Sequence, residues 1–152
     1  MPPNVYGVGD NFDPDASHVI AGLMRRFHEA KLDRVGEVVA WGTGAPLREL
    51  IDADDLGRAC VFLMERYEEG GLINAGSGQE ISIRDLAALM AEIVGYEGRI
   101  VWDATKPDGT PRKLMDNSRI RALGWRPKTS IPEGLAKMYA WYCAEGGARK
   151  AG

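Results

Sequence analysis

Stretches of extended, β-branched sequence alternate with stretches whose apolar residues recur every three to four positions. That alternation restricts this chain more than any single motif. Asn4-Val5-Tyr6-Gly7 reads as the end of a strand entering a loop. Glu37-Val38-Val39-Ala40-Trp41 reads as a strand closed by Gly42-Thr43-Gly44, and Arg48-Glu49-Leu50-Ile51-Asp52 as a second short strand. Residues 72–78 predict a strand ending in a glycine turn, and Arg99-Ile100-Val101-Trp102 another. Between them a helix is expected over 17–32, with Ser17 as cap. A second runs from Asp54 or Asp55 to about residue 67, striped by Leu56, Ala59, Cys60, Leu63 and Met64. A third starts at Ser82, with Asp85 in a capping-box position, and stops at Gly95. Helices near 117–123 and 132–145 close the chain. The order β-α-β-β-α-β-α-β-α-α is that of an α/β protein. With 152 residues the chain is expected to form one domain with its own core, ending in a frayed tail over 146–152.

Gly-x-Gly-x-x-Gly after a strand, the mark of a dinucleotide-binding turn, does not occur, and neither does a P-loop. A net charge of −3 argues against a general nucleic-acid or membrane-surface binder. No apolar run reaches membrane-spanning length, and the opening Met1-Pro2-Pro3-Asn4 lacks a basic start and an apolar core, so a cytoplasmic protein is expected. Cys60 and Cys143 sit in helical patterns without metal-ligand spacing. They read as free packing thiols, a disulfide between them being the other reading, and no metal site is expected.

The helix over 17–32 carries the most chemistry. At about 100° per residue, Val19, Ile20, Leu23, Met24 and Phe27 form an apolar stripe, with His18, Gly22, Arg25 and Arg26 opposite. An imidazole sharing a face with guanidinium groups suits a general acid acting on a bound anion, or simply a solvated basic face. Trp41, at a strand end beside glycines, suits stacking on a flat ring or a place in the core. Arg48 suits a bidentate phosphate contact or a surface ion pair. The loop Lys106-Pro107-Asp108-Gly109-Thr110-Pro111-Arg112-Lys113 suits closure over a phosphorylated ligand or a solvated turn.

Taken in order, Pro-Pro-Asn-Val-Tyr-Gly, Ser-His-Val-Ile with Arg-Arg-Phe-His, Trp-Gly-Thr-Gly-Ala-Pro-Leu-Arg-Glu, Asp-Asp-Leu, Asn-Ala-Gly-Ser-Gly, Lys-Pro-Asp-Gly-Thr-Pro-Arg-Lys and Leu-Gly-Trp span the whole chain. The series resembles the GDP-L-fucose synthases, the GDP-4-keto-6-deoxy-mannose 3,5-epimerase/4-reductases of the extended short-chain dehydrogenase/reductase family. The Trp-Gly-x-Gly, Asp-Asp-Leu and Asn-x-Gly-Ser-Gly elements are common to many nucleotide-sugar enzymes; the His18 and Lys106 segments are more specific. Ala21 departs from the proline usual after His-Val-Ile.

The resemblance implies the C-terminal, substrate-binding portion of such an enzyme, with residues 1–8 as a remnant of the last Rossmann strand region. It places the Rossmann glycines, the catalytic serine and cysteine and the Tyr-x-x-x-Lys pair ahead of Met1. It implies NADP(H) as cofactor, bound mainly by that preceding half, with Pro2, Pro3, Asn4, Val5 and His18 at the nicotinamide end. His18 is implied as catalytic acid, and Arg26, Trp41, Arg48, Asp108 and Lys113 as the GDP-sugar contacts. Helix geometry alone puts Arg25 nearer His18; the resemblance points to Arg26. Another nucleotide-sugar epimerase or dehydratase fragment, and a non-catalytic GDP-sugar-binding module, remain as alternatives. A separate Rossmann-half chain or a second copy of this chain are the protein partners left open.

Overall fold

The computed structural model describes residues 1–145; the tail expected to fray, 146–152, lies outside them. It is an α/β fold of eleven elements. In chain order these are β1 (Asn4–Tyr6), α1 (Val19–Leu32), β2 (Glu37–Trp41), β3 (Leu47–Asp52), α2 (Ala53–Arg66), β4 (Glu80–Ser82), α3 (Ile83–Val94), β5 (Arg99–Asp103), β6 (Arg112–Lys113), α4 (Ser118–Ala122) and α5 (Ile131–Ala144).

Two sheets organise them. β3 is the hub of the larger one. Its second half pairs in parallel with β1, Asn4 opposite Leu50. Its first half pairs with antiparallel β4, Leu47 opposite Ser82, and with parallel β6, Arg48 opposite Lys113. β2 and β5 form a separate parallel ribbon with Glu37 opposite Arg99 and Trp41 opposite Asp103. The main core lies among α1, α3 and α5, built on Phe27, Met24, Leu86, Met90, Leu135, Met138 and Tyr142. A smaller cluster of Ile51, Ala59, Ala75, Ile120 and Trp125 lies beside α2.

The local signals at α3 and α5 act as their chemistry dictates. Ser82 Oγ accepts from the amide of Asp85 and Gly95 ends the helix in the left-handed conformation. Ser130 and Glu133 form a complete capping box.

Five expectations need correction. Ser17 does not cap α1; His18 is the N-cap residue, and its side chain caps no amide. Val19 is largely exposed, so the stripe begins at Ile20. In α2 the cap is Asp52, accepting from the Asp54 amide, and the buried positions are Asp55 and Ala59. Met64 is 87% exposed. Asp55 turns the helix because its carboxylate takes the amides of Lys128 (2.9 Å) and Thr129 (2.8 Å) and Arg58 Nη2 (2.6 Å). Cys60 and Cys143 are free but exposed, so neither packs in the core. Residues 72–78 form no strand, because their amides bond outside any ladder. Ala75 donates to Met1 O, Gly76 to Asn117 Oδ1 and Gly78 to Glu49 Oε1.

Candidate functional site

Five candidate residues lie on or against β2, the turn after it, the β5–β6 loop and the β3–β6 pair. Arg26, on the half-buried flank of α1, donates its Nη2 to the carbonyl of Val39 in β2. Trp41 ends the same strand with 70% of its surface exposed, so it is not a core tryptophan. The turn that follows is fixed by its glycines, with φ +80° at Gly42 and +75° at Gly44. Asp108 reaches this turn across sixty-five residues, taking the Thr43 amide on Oδ1 at 2.6 Å and the Thr43 hydroxyl on Oδ2 at 2.7 Å. These bonds, the hydroxyl's first, hold the Asp108 carboxyl below the usual range.

The loop between β5 and β6 therefore lies against the turn. From there Lys106 puts its ammonium 5.7 Å from the centre of the Trp41 ring. Arg48 Nη1 donates to Thr110 O at 2.7 Å and to Leu47 O at 2.8 Å, which pins the far side of the loop and fixes the guanidinium. Lys113 lies opposite Arg48 in the β3–β6 register and is exposed. Its neighbour Arg112 is committed to Glu80 through two bonds, at 2.8 and 2.9 Å. Lys106 thus lies over the exposed Trp41 indole, Arg26 is bound to the strand that carries it, and Arg48 and Lys113 are paired on β3 and β6, residue types suited to a diphosphate joined to a flat ring.

The remaining candidates lie elsewhere. Pro2 to Val5 enter and form β1; Pro3 is buried and Asn4 Nδ2 donates to Glu49 O at 2.9 Å. His18 is exposed at the mouth of α1, about 12 Å along the helix axis from Arg26 at 1.5 Å per residue. No hydrogen bond among the described residues ties its imidazole to β1 or to the cations. Arg25 and Arg26 diverge. Arg25, only 16% exposed in its side chain, turns to Phe12 O (3.4 Å) and Glu29 (3.5 Å) and leaves Arg26 alone at β2. Among the described residues no cluster of His, Cys, Asp or Glu is arranged to hold a metal ion, and no helix is long and apolar enough to cross a membrane.

Two residues were missed by reading the sequence. Thr43 is the donor that fixes the loop. Glu49, fully buried beside Arg48, takes the amides of Gly78 (2.7 Å) and Met115 (2.8 Å) and the Asn117 amide group (2.7 Å). It thereby carries the segment that leads out of β6. The available signal was strand alternation, since Glu49 shares a face with Ile51.

A family model described as the NAD dependent epimerase/dehydratase family matches residues 1–76. The chain belongs to that family. It is 59% identical over 142 residues to GDP-L-fucose synthase 1 of Arabidopsis thaliana, covering 93% of this chain and 44% of the relative. To GDP-L-fucose synthase of Escherichia coli it is 48% identical, covering 93% and 47%. The solved structure of a GDP-L-fucose synthetase from Naegleria fowleri superposes with a TM-score of 0.90 at 26% identity, over 97% of this chain and 46% of that one. The chain therefore spans less than half the length of the curated relatives it matches. The α/β fold agrees with these likenesses.

Proposed function

We propose that residues 1–152 are the substrate-binding portion of an NADP-dependent GDP-L-fucose synthase, converting GDP-4-keto-6-deoxy-D-mannose to GDP-L-fucose by 3,5-epimerisation and 4-reduction. The observation that supports this reading is 59% identity to a protein of that name in a chain whose exposed Trp41 has Lys106 over its ring, with Arg26 bound to the same strand and Arg48 and Lys113 paired on β3 and β6. Two arginines and a lysine offset diphosphate charge, and the indole offers a face to the base or the sugar. Asp108 belongs to the same surface.

The chemistry assigned to this chain is acid–base. The C4 ketone acidifies the hydrogens at C3 and C5, because removing either gives an enolate. Inversion needs a base on one face and an acid on the other. His18 is the acid, returning a proton to carbon. Its place at the start of α1 helps, since amides left without a side-chain cap favour the negative charge that develops on the enolate oxygen. Neither Cys60 nor Cys143, both exposed and on α2 and α5, is assigned as the base.

The residues present fit one end of a dinucleotide and not its phosphates. The backbone at Pro2 and Pro3 offers no N–H, and the side-chain Nδ2 of Asn4 is engaged on Glu49 O. Pro2, Pro3, Asn4, Val5 and His18 would lie along the nicotinamide, while the phosphates need elements these residues do not supply. When bound, NADPH supplies the hydride for C4. The chain alone is accordingly expected to be inactive and to need a Rossmann half, in the same polypeptide or as a partner.

Calorimetry on the chain tests the binding reading. GDP should bind and free fucose should not, and Arg48→Ala should weaken GDP by about tenfold or more, since a hydrogen bond to a charged group is worth about 1.5–3 kcal/mol. Equal GDP affinity in the two proteins would remove Arg48 from the site.

A further inference from the structure

We infer that Arg84 is a positioning residue of the GDP-sugar site: from the first turn of α3 it holds the 42–46 turn, and with that turn the Trp41 side chain offered to the ligand. The inference rests on the binding reading above and adds to it a residue that acts through Trp41 rather than on the ligand.

The turn that joins Trp41 to β3 is docked on the start of α3. The first amides of a helix have no partner inside it. Two of them find one here, Ile83 N on Pro46 O at 3.0 Å and Arg84 N on Gly44 O at 2.8 Å. Gly42, Gly44 and Pro46 are buried while Trp41 is exposed. Arg84 adds a side-chain bond, its Nη2 donating to Thr43 O. The same guanidinium lies 4.7 Å over the ring of Trp102 in β5. Trp102 also lies against the turn, since a Cβ on Gly44 would come within 2.6 to 2.9 Å of three carbons of its ring. Arg84 therefore touches the turn directly and through Trp102.

The place of this charge in the helix is a second observation. The N-terminal end of a helix disfavours a cation, so an arginine in its first turn needs an outside partner. Asp85, the acid beside it, is occupied by Ser82 Oγ at 2.6 Å, and the guanidinium is engaged instead by Thr43 O and the indole face. The hold has a firm base, because α3 is set in the core by Leu86, Ala87, Met90, Ala91 and Val94. None of these contacts involves residues 104–111, so they stand independently of how that loop meets a ligand. Without the guanidinium, Thr43 O loses its donor and Trp102 its cation. The two helix amides then hold the turn alone. A ligand has to order the Trp41 indole on binding, which lowers affinity.

The test uses Arg84→Met, which keeps the stem and removes the donor and the charge, beside Arg84→Lys, which keeps a cation able to donate to Thr43 O. In the free chain, hydrogen exchange at the amides of Gly42 and Ile83 should speed about tenfold in Arg84→Met. GDP, measured by calorimetry, should bind Arg84→Met about three- to tenfold more weakly, the effect of leaving one side chain to be ordered on binding. Arg84→Lys should stay within about twofold of the parent, and both variants should melt within about 3 °C of it. The deciding measurement is Arg84→Met made in Trp41→Ala. There it should change GDP affinity by less than about twofold, because the residue it positions is gone. The same loss in both backgrounds would mean that Arg84 meets the ligand itself, which overturns the inference. Unchanged exchange in Arg84→Met would also overturn it. Faster exchange in a chain whose parent form binds no GDP would leave Arg84 as the hold on the turn and refute the function proposed for the site.

Discussion

Glu49→Gln is the substitution that most directly weighs the architecture behind the site. Three donors converge on this carboxylate: the Gly78 amide and the Asn117 side-chain amide on Oε1, and the Met115 amide on Oε2. A carboxylate accepts at both oxygens, whereas a glutamine accepts at one and donates at the other. Whichever way the new amide turns, its NH2 faces at least one N–H. In the gentler orientation the Met115 amide is orphaned and the bonds at the remaining oxygen lose their charged acceptor. An unsatisfied buried donor costs about 1–3 kcal/mol, and a charged hydrogen bond exceeds a neutral one by about 1 kcal/mol. With no exposed surface through which water can make up the loss, the sum is about 2–5 kcal/mol. That is a large fraction of the roughly 5–15 kcal/mol that holds a domain folded. Urea unfolding followed by circular dichroism should show the midpoint falling at nearly constant slope. A stability within about 0.5 kcal/mol of the parent would refute the reasoning, since it would mean the three donors never depended on an anion.

Three other outcomes are expected. Burial pushes the Asp55 carboxyl up, but the amides of Lys128 and Thr129 and the Arg58 guanidinium outweigh it and hold it below its usual value. Its stabilising contribution is then present above the unfolded value of about 3.9 and lost as pH falls through the lower folded one. The stability gap between the parent and Asp55→Asn should therefore narrow between neutral pH and pH 3, and a constant gap would contradict the assignment. Gly134→Ala should cost about 1–3 kcal/mol in thermal or urea unfolding, because its methyl would overlap the Tyr6 hydroxyl. In the chain complemented by a Rossmann half, His18→Gln should slow deuterium uptake at C3 and C5 by about 10²–10⁴-fold while NADPH binding persists; unchanged uptake would make His18 a helix-start residue only.

The parts of this fold that could be read from the sequence are those decided by neighbours in sequence. Ser82 with Asp85, Ser130 with Glu133 and Gly95 at the end of α3 each act within one helical turn. β2 and β5 announce themselves by β-branched residues. The rest depends on partners far along the chain. Residues 72–78 have the composition of a strand, yet they give amides to Met1, Glu49 and Asn117, which no local pattern encodes. The face of α2 was misread because a carboxylate, Asp55, points inward where an apolar residue is the usual choice. At the candidate site the residue types were legible and the distances were not. Trp41 was evenly balanced between core and surface until the glycine turn and the 103–111 loop were seen around it. The divergence of Arg25 and Arg26 follows from Phe12 O lying within reach of only one of them.

One arrangement on β3 has a consequence for how the chain assembles. Arg48 and Glu49 are adjacent, so the strand sends a cation to one face and an anion to the other. A slip of one residue in the pairing of β3 would exchange those faces. It would bring a guanidinium to the pocket where the N–H groups of Gly78, Met115 and Asn117 converge, donors against donors. The carboxylate would then stand opposite exposed Lys113. The misaligned strand thus loses the carboxylate's three buried donors and gains only an exposed contact with Lys113. The adjacent opposite charges therefore disfavour a one-residue slip at the strand on which the larger sheet depends.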